Sequence, residues 1–188
     1  MKVVYNQSVC QGSNTLKCVS FAYDEWRLLF DKVQIRYWMA QVLNNCQKPY
    51  GLHIRGYLLG EQITYLILEG DRASYRKFYK TLNKHSLVML RSYFKIDDVQ
   101  AKAADKYFSK RRISNMSMFQ IKQLRNSDYC NALLNEPLIY QFHNHGFISF
   151  YEYAIQSRFC SRIDYEDGQG PVTIEKTQFN HPIQVETV

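Results

Sequence analysis

Clustered cations beside aromatic rings are the side chains of this sequence best suited to chemistry, and that chemistry is grip on a polyanion. Lys110, Arg111 and Arg112 follow closely on Tyr107 and Phe108, Arg76, Lys80 and Lys84 fall at i, i+4 and i+8, and Lys122 and Arg125 lie further on. Lysine and arginine neutralise phosphates and release counterions, while tyrosine and phenylalanine offer faces on which unpaired bases stack. Residues 72–125 carry 14 Lys or Arg against 3 Asp or Glu, a net +11 in a chain whose total is +7. The rest of the chain is therefore net acidic. A face that is cationic for solubility intersperses both signs, so this concentration points to nucleic acid.

The other candidate chemistry is thinner. His143 and His145 form an H-x-H pair that would share one face of a strand and could hold a metal there, but no Asp or Glu close by in the sequence completes a ligand set. His53 would face the same way as Arg55 and Tyr57 on an extended segment, which suits a polar or nucleic-acid-facing surface; His85 and His181 have no partner by spacing. Cys10, Cys18, Cys46, Cys130 and Cys160 are odd in number and widely spaced, without a C-x-x-C, and read as reduced thiols.

The elements that must position these residues are legible in outline. Residues 2–10 read as a strand, before a loop at Gly12, Ser13 and Asn14. A helix capped near Asp24 would carry Trp26, Leu29, Phe30, Val33, Tyr37 and Ala40 on its apolar stripe. Residues 51–70 form two apolar strands joined at Gly60 and Glu61 as a two-residue turn, with the glycine at a positive φ. A second helix from about Ala73 turns Tyr75, Phe78, Tyr79 and Leu82 inward and Arg76, Lys80 and Lys84 outward, giving the order β-α-β-β-α. Residues 87–94 fit either a strand or more of that helix; 99–108 and 147–159 read as helices, and 116–134 gives mixed signals.

A chain of 188 residues supports one core. We expect a single domain over residues 1–163 and an acidic tail over 164–188, with 5 acidic residues to 1 lysine and a candidate strand at 172–179. The tail could also fold back on the cationic surface as a phosphate mimic. The N-terminus has no apolar signal region, and no run approaches the ~18 apolar residues of a membrane span, so a cytoplasmic protein without a membrane partner is expected.

The order of motifs resembles the REP-associated tyrosine transposases of the single-tyrosine HUH superfamily. Residues 56–68, G-Y-L-L-G-E-Q-I-T-Y-L-I-L, stand where the family has A-Y-V-L-M-P-N-H-V-H-L-L-L. Ser117-Met118-Phe119-Gln120 is similar to S-L-F-Q, with Lys122 and Arg125 near the family's R-x-F-K-R. Ser127-Asp128-Tyr129 follows as an acidic residue and a tyrosine do there; Tyr140-Gln141-Phe142-His143-Asn144 matches the spacing of Y-I-H-L-N, and His145-Gly146-Phe147 with Phe150-Tyr151-Glu152-Tyr153 is similar to the family's H-G-F and F-x-E-Y close.

The resemblance implies an α+β fold, a ferredoxin-like antiparallel sheet with packed helices and extra C-terminal helices, and a DNA partner, single-stranded or hairpin. It leaves the oligomeric state open, a homodimer among the options. It also implies that Tyr140 stands at the nucleophile's position, with Tyr129 as a substitute, and that His143 and His145 lie in a helix-to-loop segment where they diverge. Three residues that separate Asn from His-Gly-Phe in the family are missing after Asn144. The family's two metal-binding histidines are here Ile63 and Tyr65. Isoleucine has no lone pair and a neutral phenol is a poor ligand for a hard cation, so no cofactor is expected, and magnesium or manganese only if other ligands recruit it. Three readings follow: a DNA-binding protein that has lost strand cleavage, an active nicking enzyme using Tyr140, and a protein-interaction module docking through Ile54, Gly56, Leu58, Ile63 and Tyr65.

Overall fold

The computed structural model describes residues 15–47, 51–94, 118–139 and 143–176. The strand and helix expected at 2–10 and 99–108 lie outside them. Four strands, β1 (Thr15–Tyr23), β2 (His53–Leu59), β3 (Ile63–Gly70) and β4 (Phe119–Leu124), form one sheet in the order β2-β3-β1-β4, every neighbouring pair antiparallel. Helix α1 (Lys32–Gln47) joins β1 to β2, and α2 (Arg72–Phe94) leads from β3 toward β4. This β-α-β-β-α-β order is compatible with a ferredoxin-like core. Three shorter helices follow: α3 (Asp128–Leu133), α4 (His145–Gln156) and α5 (Arg162–Tyr165).

Both faces of the sheet are covered. Val19, Phe21 and Tyr23 of β1 join Ile54, Tyr57, Leu59, Leu66 and Leu68 in one core with the inner residues of α1 and α2. Cys18, Leu58 and Ile67 point the other way and pack with Cys130 and Leu133 of α3 and Phe147, Phe150 and Ala154 of α4. A strand buried on both faces loses polar alternation. Hence Tyr57-Leu58-Leu59 and Leu66-Ile67-Leu68 are continuous apolar runs, each residue fully buried.

Several boundaries differ from expectation, each for a local reason. Asp24 caps a single 3-10 turn, Glu25–Leu29, and Asp31 caps α1 by accepting the Val33 and Gln34 N–H groups at 2.8 Å. The break between turn and helix resets the helical phase. Val33 and Tyr37 therefore face out, and the buried stripe is Ile35, Trp38, Met39, Ala40, Val42, Leu43 and Cys46, with Ala40 inside as expected. The two-residue turn is made by Glu61 and Gln62, one position later than expected: Leu59 pairs with Thr64, and Gly60 N–H donates to the Ile63 carbonyl at 2.9 Å. Glycine is required at 60 by that close approach, since a Cβ would lie 2.6 Å from the Ile63 oxygen, and not by a positive φ, which among the described glycines belongs to Gly51. Residues 87–94 continue α2. Residues 172–176 form no strand, and the rest of the candidate strand lies outside the described residues.

The β2 edge is protected by the chain's own C-terminal part. Leu59 N–H donates to Phe159, Ser161 N–H to Tyr57, and Glu175 N–H to Ile54. Val172 is fully buried in the larger core, and Thr173 N–H is held by the Asn44 side chain at 2.8 Å. Glu175 pairs with His53 and Arg55, so this acidic residue lies on β2 and not on the cationic face of α2.

Candidate nucleic-acid interface

A β-bulge between Ile54 and Gly56 decides what surrounds Ile63 and Tyr65. The register runs Ile54 to Leu68, Gly56 to Ile67 and Leu58 to Tyr65, leaving Arg55 as the extra residue. Ile54 therefore enters the α1/α2 core, while Gly56 and Leu58 stay on the Tyr65 face, so the five residues expected to form a docking surface are divided between two faces. The bulge also separates His53, paired with Glu175 at 2.5 Å, from the fully buried Tyr57.

The Tyr65 face is occupied by the chain itself. Tyr65 lies 4.8 Å, ring centre to ring centre, from Phe150 of α4 and 6.2 Å from Tyr129 of α3, nearly parallel to the latter. Tyr129 packs in turn on Phe150 at 4.7 Å and Phe147 at 5.1 Å. Burial pushes both phenols above their ordinary range, and the neighbouring Tyr129 and Cys18 add to the shift at Tyr65, Cys18 to that at Tyr129. The Cys18 thiol is raised further by its hydrogen bond to Cys130, and among the described residues all four cysteines are free. Such groups hold their protons at neutral pH. Among the described residues no three His, Cys, Asp or Glu side chains gather as a metal site.

The sequence-predicted His143 and His145 diverge. His145 is the exposed first residue of α4, whose Phe147 N–H is capped by Asn144 at 2.9 Å. His143 turns inward, stacks on Phe147 at 4.1 Å and meets Asp128 through Nε2 at 2.6 Å. The fully buried Asp128 carboxylate also accepts the Ile139 N–H at 2.7 Å and the Asn131 amide at 3.4 Å. It thus holds the chain on both sides of residues 140–142. Tyr140 itself lies outside the described residues. The Asp128 and His143 pairing, 15 residues apart, has no local spacing signal.

The cations occupy two separate places. Arg76, Lys80 and Lys84 are exposed on α2, and Arg72, missed in the sequence because it precedes the periodic stripe, extends their row by one step of four residues. Lys122 is exposed on β4 in a cross-strand row with Ser20, Tyr65 and Leu58, about 10 Å from Tyr65 at the usual strand spacing. It therefore lies on the sheet face opposite α2; Arg125, exposed, follows β4. Lys110, Arg111 and Arg112, with Tyr107 and Phe108, lie outside the described residues. No helix among the described residues is long and apolar enough to cross a membrane.

Compared with protein-family models, curated proteins and solved structures, the chain matches none.

Proposed function

We propose that this protein binds DNA, single-stranded or in hairpins, on a scaffold similar to the REP-associated tyrosine transposases, and does not carry out metal-dependent strand cleavage. One observation carries the binding half: α2 presents Arg72, Arg76, Lys80 and Lys84 in a row, and among the described residues none of the four has a carboxylate partner. Lys122 and Arg125 add positive charge near the other sheet face. Lys110, Arg111 and Arg112 complete the proposed set by their sequence position.

Loss of cleavage is supported by what fills the old ligand positions. Ile63 has no lone pair, and the Tyr65 ring is packed between Tyr129 and Phe150, where a cation and a scissile phosphate would need room. A phenol with a raised pKa is also a poor nucleophile, which argues against Tyr129 as a substitute for Tyr140.

The test is incubation of the full chain with a single-stranded hairpin oligonucleotide at ~50 mM salt, conditions that favour phosphate contacts, with magnesium and separately with manganese. A mobility shift without a covalent adduct is expected. A covalent adduct that Tyr140→Phe abolishes would establish the nicking enzyme instead, and no shift at all would remove DNA binding.

A further inference from the structure

The two edges of the sheet differ. β2 is closed by main-chain bonds to Phe159, Ser161 and Glu175, whereas β4, the other edge, carries no strand on its outer side among the described residues. The phase of β4 follows from β1. Tyr23 N–H donates to the Gln62 carbonyl on the β3 side, and successive residues of a strand send their polar groups to opposite sides, so Ser20 and Ala22 turn theirs toward β4. Their partners Lys122 and Gln120 are therefore spent on β1, while Ile121 and Gln123, opposite Phe21 and Val19, turn N–H and C=O outward. Among the described residues nothing bonds to either unit. Ile121 is also 46% exposed, an apolar side chain in the middle of an open edge. Such an edge is a template for a further strand.

Charge narrows what that strand can be. Tyr79 packs on Phe21 at 5.9 Å, and Asn83 accepts the N–H of Met118, just before β4, at 2.7 Å, so one flank of α2 runs beside β4. A helix turns about 100° per residue, which puts Arg76 and Lys80 within about 60° of Asn83 around its axis. Both are exposed on that flank, and Lys122 is exposed on the opposite sheet face of β4. None of residues 72–94 or 118–127 is acidic. Lys122 bars a neutral or cationic strand, and the β4 of a second copy would bring the same cation. An acidic strand is attracted instead. Charge alone would suit a nucleic acid, but alternating N–H and C=O groups along an edge are matched by a peptide. We infer that the β4 edge is a strand-addition site for an extended acidic segment of a partner protein. Its main chain pairs with Ile121 and Gln123, an apolar side chain covers Ile121, and a carboxylate lies opposite Lys122. This goes beyond nucleic-acid binding and does not depend on it.

The experiment titrates a blocked, fluorescent seven-residue peptide of alternating glutamate and valine into the full chain, with binding read by anisotropy and amide exchange by NMR. Binding should slow exchange at the Ile121 and Gln123 amides and leave those of Gln120 and Lys122, which β1 already protects, unchanged. Methylating the valine nitrogens removes the peptide's donors and should abolish binding to the unaltered chain. Lys122→Glu, which sets like charges opposite one another, should weaken binding about tenfold. Ile121→Pro deletes an outward N–H, a loss that an edge strand tolerates, and should weaken binding and remove the protection at Gln123. Thermal melting checks that both variants fold. Ile121 and Gln123 amides already slow in the free chain would mean that the edge is closed, and would overturn the site. Binding without amide protection would overturn strand addition, and equal binding of the matching lysine and valine peptide would overturn the acidic class. No binding at ~1 mM peptide would overturn both. Protection of these amides by an oligothymidylate, with none by the peptide, would assign the edge to nucleic acid instead.

Discussion

Asp128 is the side chain on which the local structure around the candidate site most depends. Its buried carboxylate satisfies an amide N–H, a carboxamide and an imidazole drawn from three places in the sequence. Asp128→Ala would leave those groups without their acceptor, at about 1–3 kcal/mol for each buried donor left unsatisfied. We expect a loss of about 3 kcal/mol in urea unfolding, with a lower midpoint and an unchanged slope, whereas His143→Gln, which keeps a donor, should cost less than half as much. A second prediction concerns alkaline pH. Burial pushes the Cys46 thiol up to about 12 and the Cys160 thiol up to about 11. Above the ordinary thiol pKa the unfolded chain has lost these protons while the folded chain retains them, so stability is full below pH ~8.5 and falls as pH rises toward the folded values. Each group contributes about 1.4 kcal/mol per pH unit in that window. Replacing Cys46 with Ala should make the measured slope between pH ~9 and ~11 shallower by about one proton.

At the scale of the elements, α2 trades stability for charge. Asp71 already caps α2 by accepting the Ser74 N–H at 2.6 Å, and Arg72→Glu would replace the cation beside it with a second anion that the helix N-terminus favours. It should raise stability by about 0.5 kcal/mol at low ionic strength, a gain that shrinks with added salt, while weakening oligonucleotide binding. Thermal melting and anisotropy on the same sample would show the two changes with opposite sign. The inner and outer faces of α2 were legible in the sequence because one uninterrupted period of 3.6 separates Tyr75, Phe78 and Leu82 from Arg76, Lys80 and Lys84. The start of α1 was not, because Asp24 and Asp31 are both good caps and the apolar residues between them mimic a continuous stripe. The β2 bulge was equally hidden: an extra residue at Arg55, held by Glu69 at 2.6 Å and by the Glu175 carbonyl at 2.9 Å, depends on partners far away in the sequence.

Across the whole molecule, a sheet sandwiched between two helical layers decides which side chains are buried and which are exposed. The face bearing Ile63 and Tyr65 is covered by α3 and α4, which pack the rings of Tyr129 and Phe150 against Tyr65. Exposed cations lie on the outer side of α2 and, on the same sheet face as Tyr65 but two strands away, at Lys122 of β4. The C-terminal part closes the β2 edge, and Val172→Ala, which removes two buried methyl groups, should cost about 2 kcal/mol and loosen residues 171–176 as seen by limited proteolysis. Neither the closure nor the divided cations could be read locally, since both follow from how distant segments stack on one sheet.

The most direct test is the affinity of the wild-type chain for a single-stranded hairpin oligonucleotide measured across a salt series from ~50 to ~200 mM, the range over which phosphate contacts are lost. A linear fall of log K against log salt, with a slope of about −3 or steeper, is the expected result for four or more neutralised phosphates on a single strand. A flat response, or no binding at the lowest salt, would contradict the account.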